Sequence, residues 1–201
     1  MPVRLWFQKS LFALLLAFTL GTTACQDETA APVMQSTHQA YDLVGFLDQE
    51  ADALSAQKAL VTKTVSTADN PTETKTISTI NWAEELAPFA DADINKPALA
   101  GLFTEEVKTN PLGQQVRRYT AKEDADTNVQ QVTYLFDAQG RLVQVDATIV
   151  QENMLFNTQK ILHLEAQPSA APTIRLYRLD ETQKLMFMDA QRYGVLGEIA
   201  R

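Results

Sequence analysis

Few residues in this chain have the type and spacing that chemistry requires, and the first of them is a lone thiol. Cys25 is the single cysteine among 201 residues. It follows the small residues Gly21-Thr22-Thr23-Ala24, which themselves follow the short apolar run Leu11–Leu20. One cysteine cannot form an internal disulfide, so a thiol in a secreted chain calls for another chemistry. A second candidate is Asp91-Ala92-Asp93-Ile94-Asn95, whose alternating oxygens match the opening of a calcium loop. Such a loop also needs Gly at its sixth place and a bidentate Glu at its twelfth. Lys96 and Leu102 stand there instead. The pattern therefore reads as a turn after a helix, in which the Asp and Asn side chains cap nearby N–H groups.

The remaining chemistry-bearing residues offer less. His38 and His163 are far apart in sequence and lack the spacing of a zinc site. His163 lies between Leu162 and Leu164, so in a strand its ring faces opposite to theirs, toward solvent or polar partners. There is no G-x-S-x-G elbow for a nucleophilic serine. No glycine-rich loop is present to cradle a phosphate. These patterns lead to the expectation of no catalytic residue, no metal, no cofactor and no enzymatic activity.

The leader carries the most specific signal. Arg4 and Lys9 without an acid, then Leu11–Leu20, then small residues, make a secretory signal peptide over residues 1–24. The apolar run is too short to span a bilayer, which takes about 20 such residues. The segment Leu20-Gly21-Thr22-Thr23-Ala24-Cys25 resembles a bacterial lipobox, with Thr22 where Leu is usual. Asp27-Glu28, close behind the cysteine, resembles the surface-export signal of Bacteroidota lipoproteins. This likeness covers about 30 residues. It implies acyl chains on Cys25 and a place in the cell envelope. The outer membrane is favoured, with the domain either periplasmic or on the surface. Two or three acyl chains meet the two-signal requirement for stable membrane anchoring.

Charge bounds the partners. The whole chain has a net charge of −8, and loss of the leader takes Arg4 and Lys9 with it, leaving about −10. Nucleic acid is excluded as a partner, because phosphate binding rests on basic neutralisation. An electrostatic hold on anionic lipid is disfavoured for the same reason.

Several elements must then be positioned. Residues 25–35 read as the acylated cysteine and a polar tether, and residues 36–201 as a single globular domain. Ser36-Thr37-His38-Gln39 fits a capping box for a helix ending near Gln57, with Ala40, Val44, Leu47, Ala51 and Leu54 on its apolar stripe. Leu60–Ser66 and Glu73–Ile80 read as a hairpin. Asn81 caps a second helix bearing Trp82, Leu86 and Phe89 on one face, with Pro88 ending or kinking it. Residues 99–110 are ambiguous. From Gln114 the pattern predicts strands at 114–121, 129–137, 141–151, 154–166, 173–179, 184–189 and 193–199. Asp137-Ala138-Gln139-Gly140 is the clearest turn. The 184–189 strand, with Met186 and Met188 alternating with Leu185 and Phe187, is apolar on both faces and is expected in the core.

The fold class is thus α+β. It is a twisted antiparallel meander or partial barrel of about 7–9 strands, with two helices from the N-terminal half packed on it. An early helix before long antiparallel strands is also similar to the periplasmic lipoprotein-carrier half-barrels, a likeness of architecture that no motif carries. The expected function is that of a lipid-anchored envelope lipoprotein with a non-catalytic binding or interaction role. A carrier of an apolar ligand such as lipid is the alternative, recognisable by a cavity lined by Val145, Phe156, Met186 and Phe187. A hydrolase is the third reading.

Overall fold

The computed structural model describes residues 40–67 and 72–200, all within the compact unit Gln35–Arg201. The signal peptide, Cys25, the tether, the capping box at Ser36 and His38 lie outside the described residues. In chain order the elements are α1 (Leu43–Ala56), β1 (Val61–Thr67), β2 (Glu73–Ile77) and α2 (Trp82–Ala90). A 3₁₀ turn at Pro97–Leu99 leads to β3 (Phe103–Thr109), β4 (Gln115–Ala121) and β5 (Val129–Phe136). Then come β6 (Leu142–Glu152), β7 (Phe156–Ala166), β8 (Ile174–Leu185) and β9 (Gln191–Ile199).

The nine strands form one antiparallel sheet in the order β2-β1-β9-β8-β7-β6-β5-β4-β3. It is an open sheet with two helices packed on one face, so the α+β expectation holds. Strands β3 to β9 are a meander of consecutive hairpins. The N-terminal hairpin then joins the last strand, with Val61 opposite Ile199 and Thr67 opposite Tyr193. Strands β2 and β3 are the free edges, and both are short and mostly exposed. Glu73 and Lys75 on one, and Glu105, Glu106 and Lys108 on the other, put charge where another chain would pair.

Helix α1 begins at Asp42, whose carboxylate accepts the Gly45 N–H at 3.0 Å. The helix therefore starts later than the sequence pattern predicts, at a cap that Ser36 was expected to supply. Its buried face is Leu43, Leu47, Glu50, Ala51 and Leu54. Val44 is exposed, because the later start places Leu43 on the stripe. The helix ends with Lys58 in the left-handed region. There the Ala59 N–H reaches the Leu54 carbonyl at 3.0 Å and the Lys58 N–H the Ser55 carbonyl at 3.1 Å. Those two bonds satisfy carbonyls that would otherwise be orphaned.

Helix α2 is capped as expected, with the Asn81 side chain accepting from Glu84 N–H. It runs through Pro88 for two more residues. In the last turn the missing N–H removes a single bond, to the Glu84 carbonyl. Trp82, Leu86 and Phe89 are buried against the sheet. The sheet contributes Val132, Tyr134, Val145, Ala147, Leu162, Leu164, Ile174 and Tyr177 to the same core. Each such large side chain contributes about 1.5–3 kcal/mol on burial.

The strands depart from regular alternation at the start of β6 and from the expected bounds at 184–189. Irregular pairing between Leu135 and Phe136 opposite β6 puts Leu142 and Val145 in the core and leaves Val143 half-buried. The strand expected at 184–189 does not exist as such. Strand β8 continues to Leu185, a turn occupies 186–190, and β9 starts at Gln191. Met186, Phe187 and Met188 are consequently exposed and not in the core.

Candidate functional site

One face of the sheet is covered by the chain's own helices over most of its core. Glu50 of α1 reaches across so that its Oε2 accepts the N–H groups of Thr173 (2.7 Å) and Ile174 (2.8 Å), where β8 begins. The Gln57 amide donates to the Ala171 carbonyl at 2.7 Å. From α2, Glu85 accepts from Lys63 Nζ at 2.8 Å and from the Tyr177 hydroxyl at 2.8 Å. Burial first, then the Glu85 carboxylate, push the Tyr177 phenol far above its ordinary pKa, which keeps it a neutral donor. The Tyr177 ring lies over Gly197, where a Cβ would meet it at 2.1 Å. An aromatic ring opposite a glycine in this way lets one side chain cover two strands.

The calcium-like segment has a structural job. Asp93 accepts the Asn95 N–H at 3.0 Å. The Asn95 side chain accepts from Ala40 N–H (3.0 Å) and donates to the Tyr41 carbonyl (3.0 Å). Asp91 pairs with Lys160 at 3.2 Å. Asn95, held by Asp93, thus pins the start of the described chain to the end of α2, and Asp91 ties that end to β7. Tyr41 then packs on Tyr134 and Phe136, with ring centroids 5.6 and 5.5 Å away.

On the opposite, solvent-facing side of the sheet lies the charged group the sequence did not reveal. His163 Nδ1 meets Asp146 at 2.7 Å and Nε2 meets Glu165 at 3.1 Å. Arg175 is bonded to Glu165 from the other side, and Gln144 donates to Asp146 at 2.6 Å. Partial burial alone would lower the imidazole pKa, but its hydrogen bonds to the Asp146 and Glu165 carboxylates outweigh it and raise it. His163 and Arg175 together hold Glu165 below the usual carboxylate range. Each ring nitrogen has a carboxylate partner, so the ring braces β7 against β6, and Glu165 carries the group on to Arg175 of β8. Sequence could have hinted at this only through the alternation of His163 with buried leucines. The cross-strand partners are set by register.

Two further surfaces are open. A cleft of about 470 Å³ lies between the end of α2 and the inner face of the sheet. Asp91, Lys96, Lys160 and Asp126 stand around it, with Leu99 and Ile149 among its apolar lining. The other surface is apolar. The β6–β7 turn carries Met154 (86% exposed) and Leu155, and the neighbouring β8–β9 turn carries Met186, Phe187 (98% exposed) and Met188. The four residues expected to line a ligand cavity do not share one. Val145 is buried beneath the helices, Met186 and Phe187 project at a turn, and Phe156 is half-buried at the foot of the neighbouring turn.

In comparisons with known proteins, no family model, curated protein or solved structure matches the chain.

Proposed function

We propose that the chain is a lipid-anchored envelope lipoprotein, held by acyl chains on Cys25, whose domain serves as a non-catalytic interaction module. The leader pattern and the single cysteine support the anchor. The observation that carries the interaction role is the display of Met154, Leu155, Met186, Phe187 and Met188 on two adjacent turns. A contiguous set of large exposed apolar side chains marks a contact surface. The carrier reading draws less support, because helix side chains occupy the concave face that would have held the ligand.

The anchor is tested on the full chain expressed in a bacterial host. Wild type sediments with membranes and carries the mass of a diacylglyceryl group on its N-terminal cysteine. Cys25→Ala lacks that mass and, once its leader is removed, leaves the membrane fraction with its circular dichroism unchanged. A cleaved Cys25→Ala chain that stayed membrane-bound as firmly as wild type would refute anchoring through Cys25. For the interaction role, photo-crosslinking from position 187 in membranes should give discrete adducts with lipid or protein. Position 112, at the opposite end of the sheet, should give none.

A further inference from the structure

We infer that the paired turns 153–155 and 186–188 are a bilayer-contacting tip, which dips into the interface of the membrane that holds the lipid anchor. This inference rests on the anchor reading for its geometry and extends it by naming the partner surface.

The two turns are built to project their side chains. Strands β6 and β8 end, and β7 and β9 begin, on the same side of the sheet, with Glu152 opposite Asn157, Leu185 opposite Phe156 and Gln183 opposite Gln191. In the first turn the Asn153 carboxamide oxygen accepts the N–H groups of Leu155 (2.8 Å) and Phe156 (3.0 Å), which locks the backbone and aims Met154 and Leu155 outward. The second turn is tied to the first, as the Met186 N–H donates to the Leu155 carbonyl at 2.9 Å. At its apex Phe187 takes a positive φ of 63°, a conformation bulky residues avoid and glycine adopts freely. The ring there is 98% exposed. The domain gains neither burial nor backbone ease from a Phe at this position. Backbone strain and full exposure of a large apolar group coincide where an outside surface is met.

Three observations select a bilayer as that surface. Met154 and Phe187, the most exposed apolar side chains of the two turns, project from separate apices, which suits insertion into a fluid interface. The flanking Lys184 and Arg192 are matched by the exposed acids Glu152 and Asp189, which leaves the apolar side chains to make the contact. Tyr193, exposed beside Arg192, is of the type enriched at membrane interfaces. The third is reach. The described chain begins at Ala40, beside Tyr41 on Phe136, and Phe136 pairs with Leu142. From Leu142 to Glu152 the strand runs about 33 Å. Fifteen residues separate Cys25 from Ala40 and extend to at most about 50 Å. An anchor at Cys25 therefore has enough chain to let the tip meet the same leaflet. The acidic chain is repelled by anionic lipid, so the contact is apolar, and raising the salt concentration does not weaken it.

The experiment uses the full chain, acylated on Cys25, in vesicles of phosphatidylethanolamine and phosphatidylglycerol. Acylation leaves no free thiol, so Met154→Cys, Phe187→Cys and Leu112→Cys each place a single environment-sensitive fluorophore. Leu112 is exposed in the β3–β4 turn at the far end of the sheet. Nitroxide-labelled lipid is expected to quench the probes at 154 and 187 and not the one at 112. Aqueous iodide is expected to do the reverse, with no change on adding salt. Equal iodide quenching at all three positions overturns the inference. So does loss of iodide access at 154 and 187 without lipid quenching, which would assign the tip to a second copy or a protein. The anchor is read separately, from the intact mass. If that mass shows no acyl group, the unacylated chain with serine at position 25 is added to the same vesicles. Cosedimentation that falls about tenfold on Phe187→Ser supports the tip without the anchor, whereas no binding overturns it.

Discussion

Single residues decide where the sheet tolerates change. Gly197 has no positive φ, and only close approach demands it, since Tyr177 occupies the space of its missing Cβ. Gly197→Ala must displace a ring that is also bonded to Glu85. It is expected to cost at least about 1–3 kcal/mol, as overpacking does, measured by urea denaturation of the anchored chain in detergent. His163 makes a prediction of sign. Its folded pKa is raised above the ordinary 6.5, so its contribution is complete below that value and is lost as pH rises through the folded pKa. Glu165 is the mirror case. Its pKa is lowered, so its contribution is present above 4.5 and is lost as pH falls through the folded value. The stability difference between wild type and His163→Gln should therefore shrink steadily as pH is raised from about 6 to 9. A difference that grew over that range would contradict the bracing role. Neither constraint was legible in the sequence. Nothing in the sequence links Gly197 to Tyr177 or His163 to Asp146, because cross-strand neighbours follow from register.

At the scale of elements, the helices hold the sheet at a few polar points as well as through the core. Glu50 lies on the buried stripe of α1, where the apolar pattern expected no acid. Its carboxylate takes two N–H groups at the head of β8. Glu50→Ala should cost about 1.5–3 kcal/mol, the range for hydrogen bonds to a charged group. Amide exchange would show protection lost first at Thr173 and Ile174. If the loss were spread evenly over the sheet, the carboxylate would be a generic contributor and not a clamp. The elements themselves were largely readable. Alternating β-branched runs marked β4 to β7, Asn81 marked the start of α2, and Asp137–Gly140 marked its hairpin, with Gly140 at φ +77°. Strand ends were less so. Residues 184–189 have strand-like composition, but a turn falls inside them, because the chain must reverse to lay β9 against β8.

For the whole molecule, the topology leaves one face closed and one end exposed. The last strand pairs with the first, β9 on β1, and α1 before β1 and α2 between β2 and β3 both pack on one face of the resulting open sheet. The apolar turns stand beyond that cover, and the proposed interaction with a bilayer follows from their position. Composition and pattern alone determined the net acidic charge and the α+β architecture, and they supply the reading of a leader and an anchor at Cys25 on which the proposal rests. These are local properties, fixed by hydrophobic period, capping chemistry and counting. Tertiary structure alone decided which apolar residues are core and which are display. Met186, Phe187 and Met188 have the same chemistry as the buried Leu162 and Leu164. A residue is buried only if another element arrives to cover it, and among the described residues no helix or strand covers the tip of the β8–β9 hairpin.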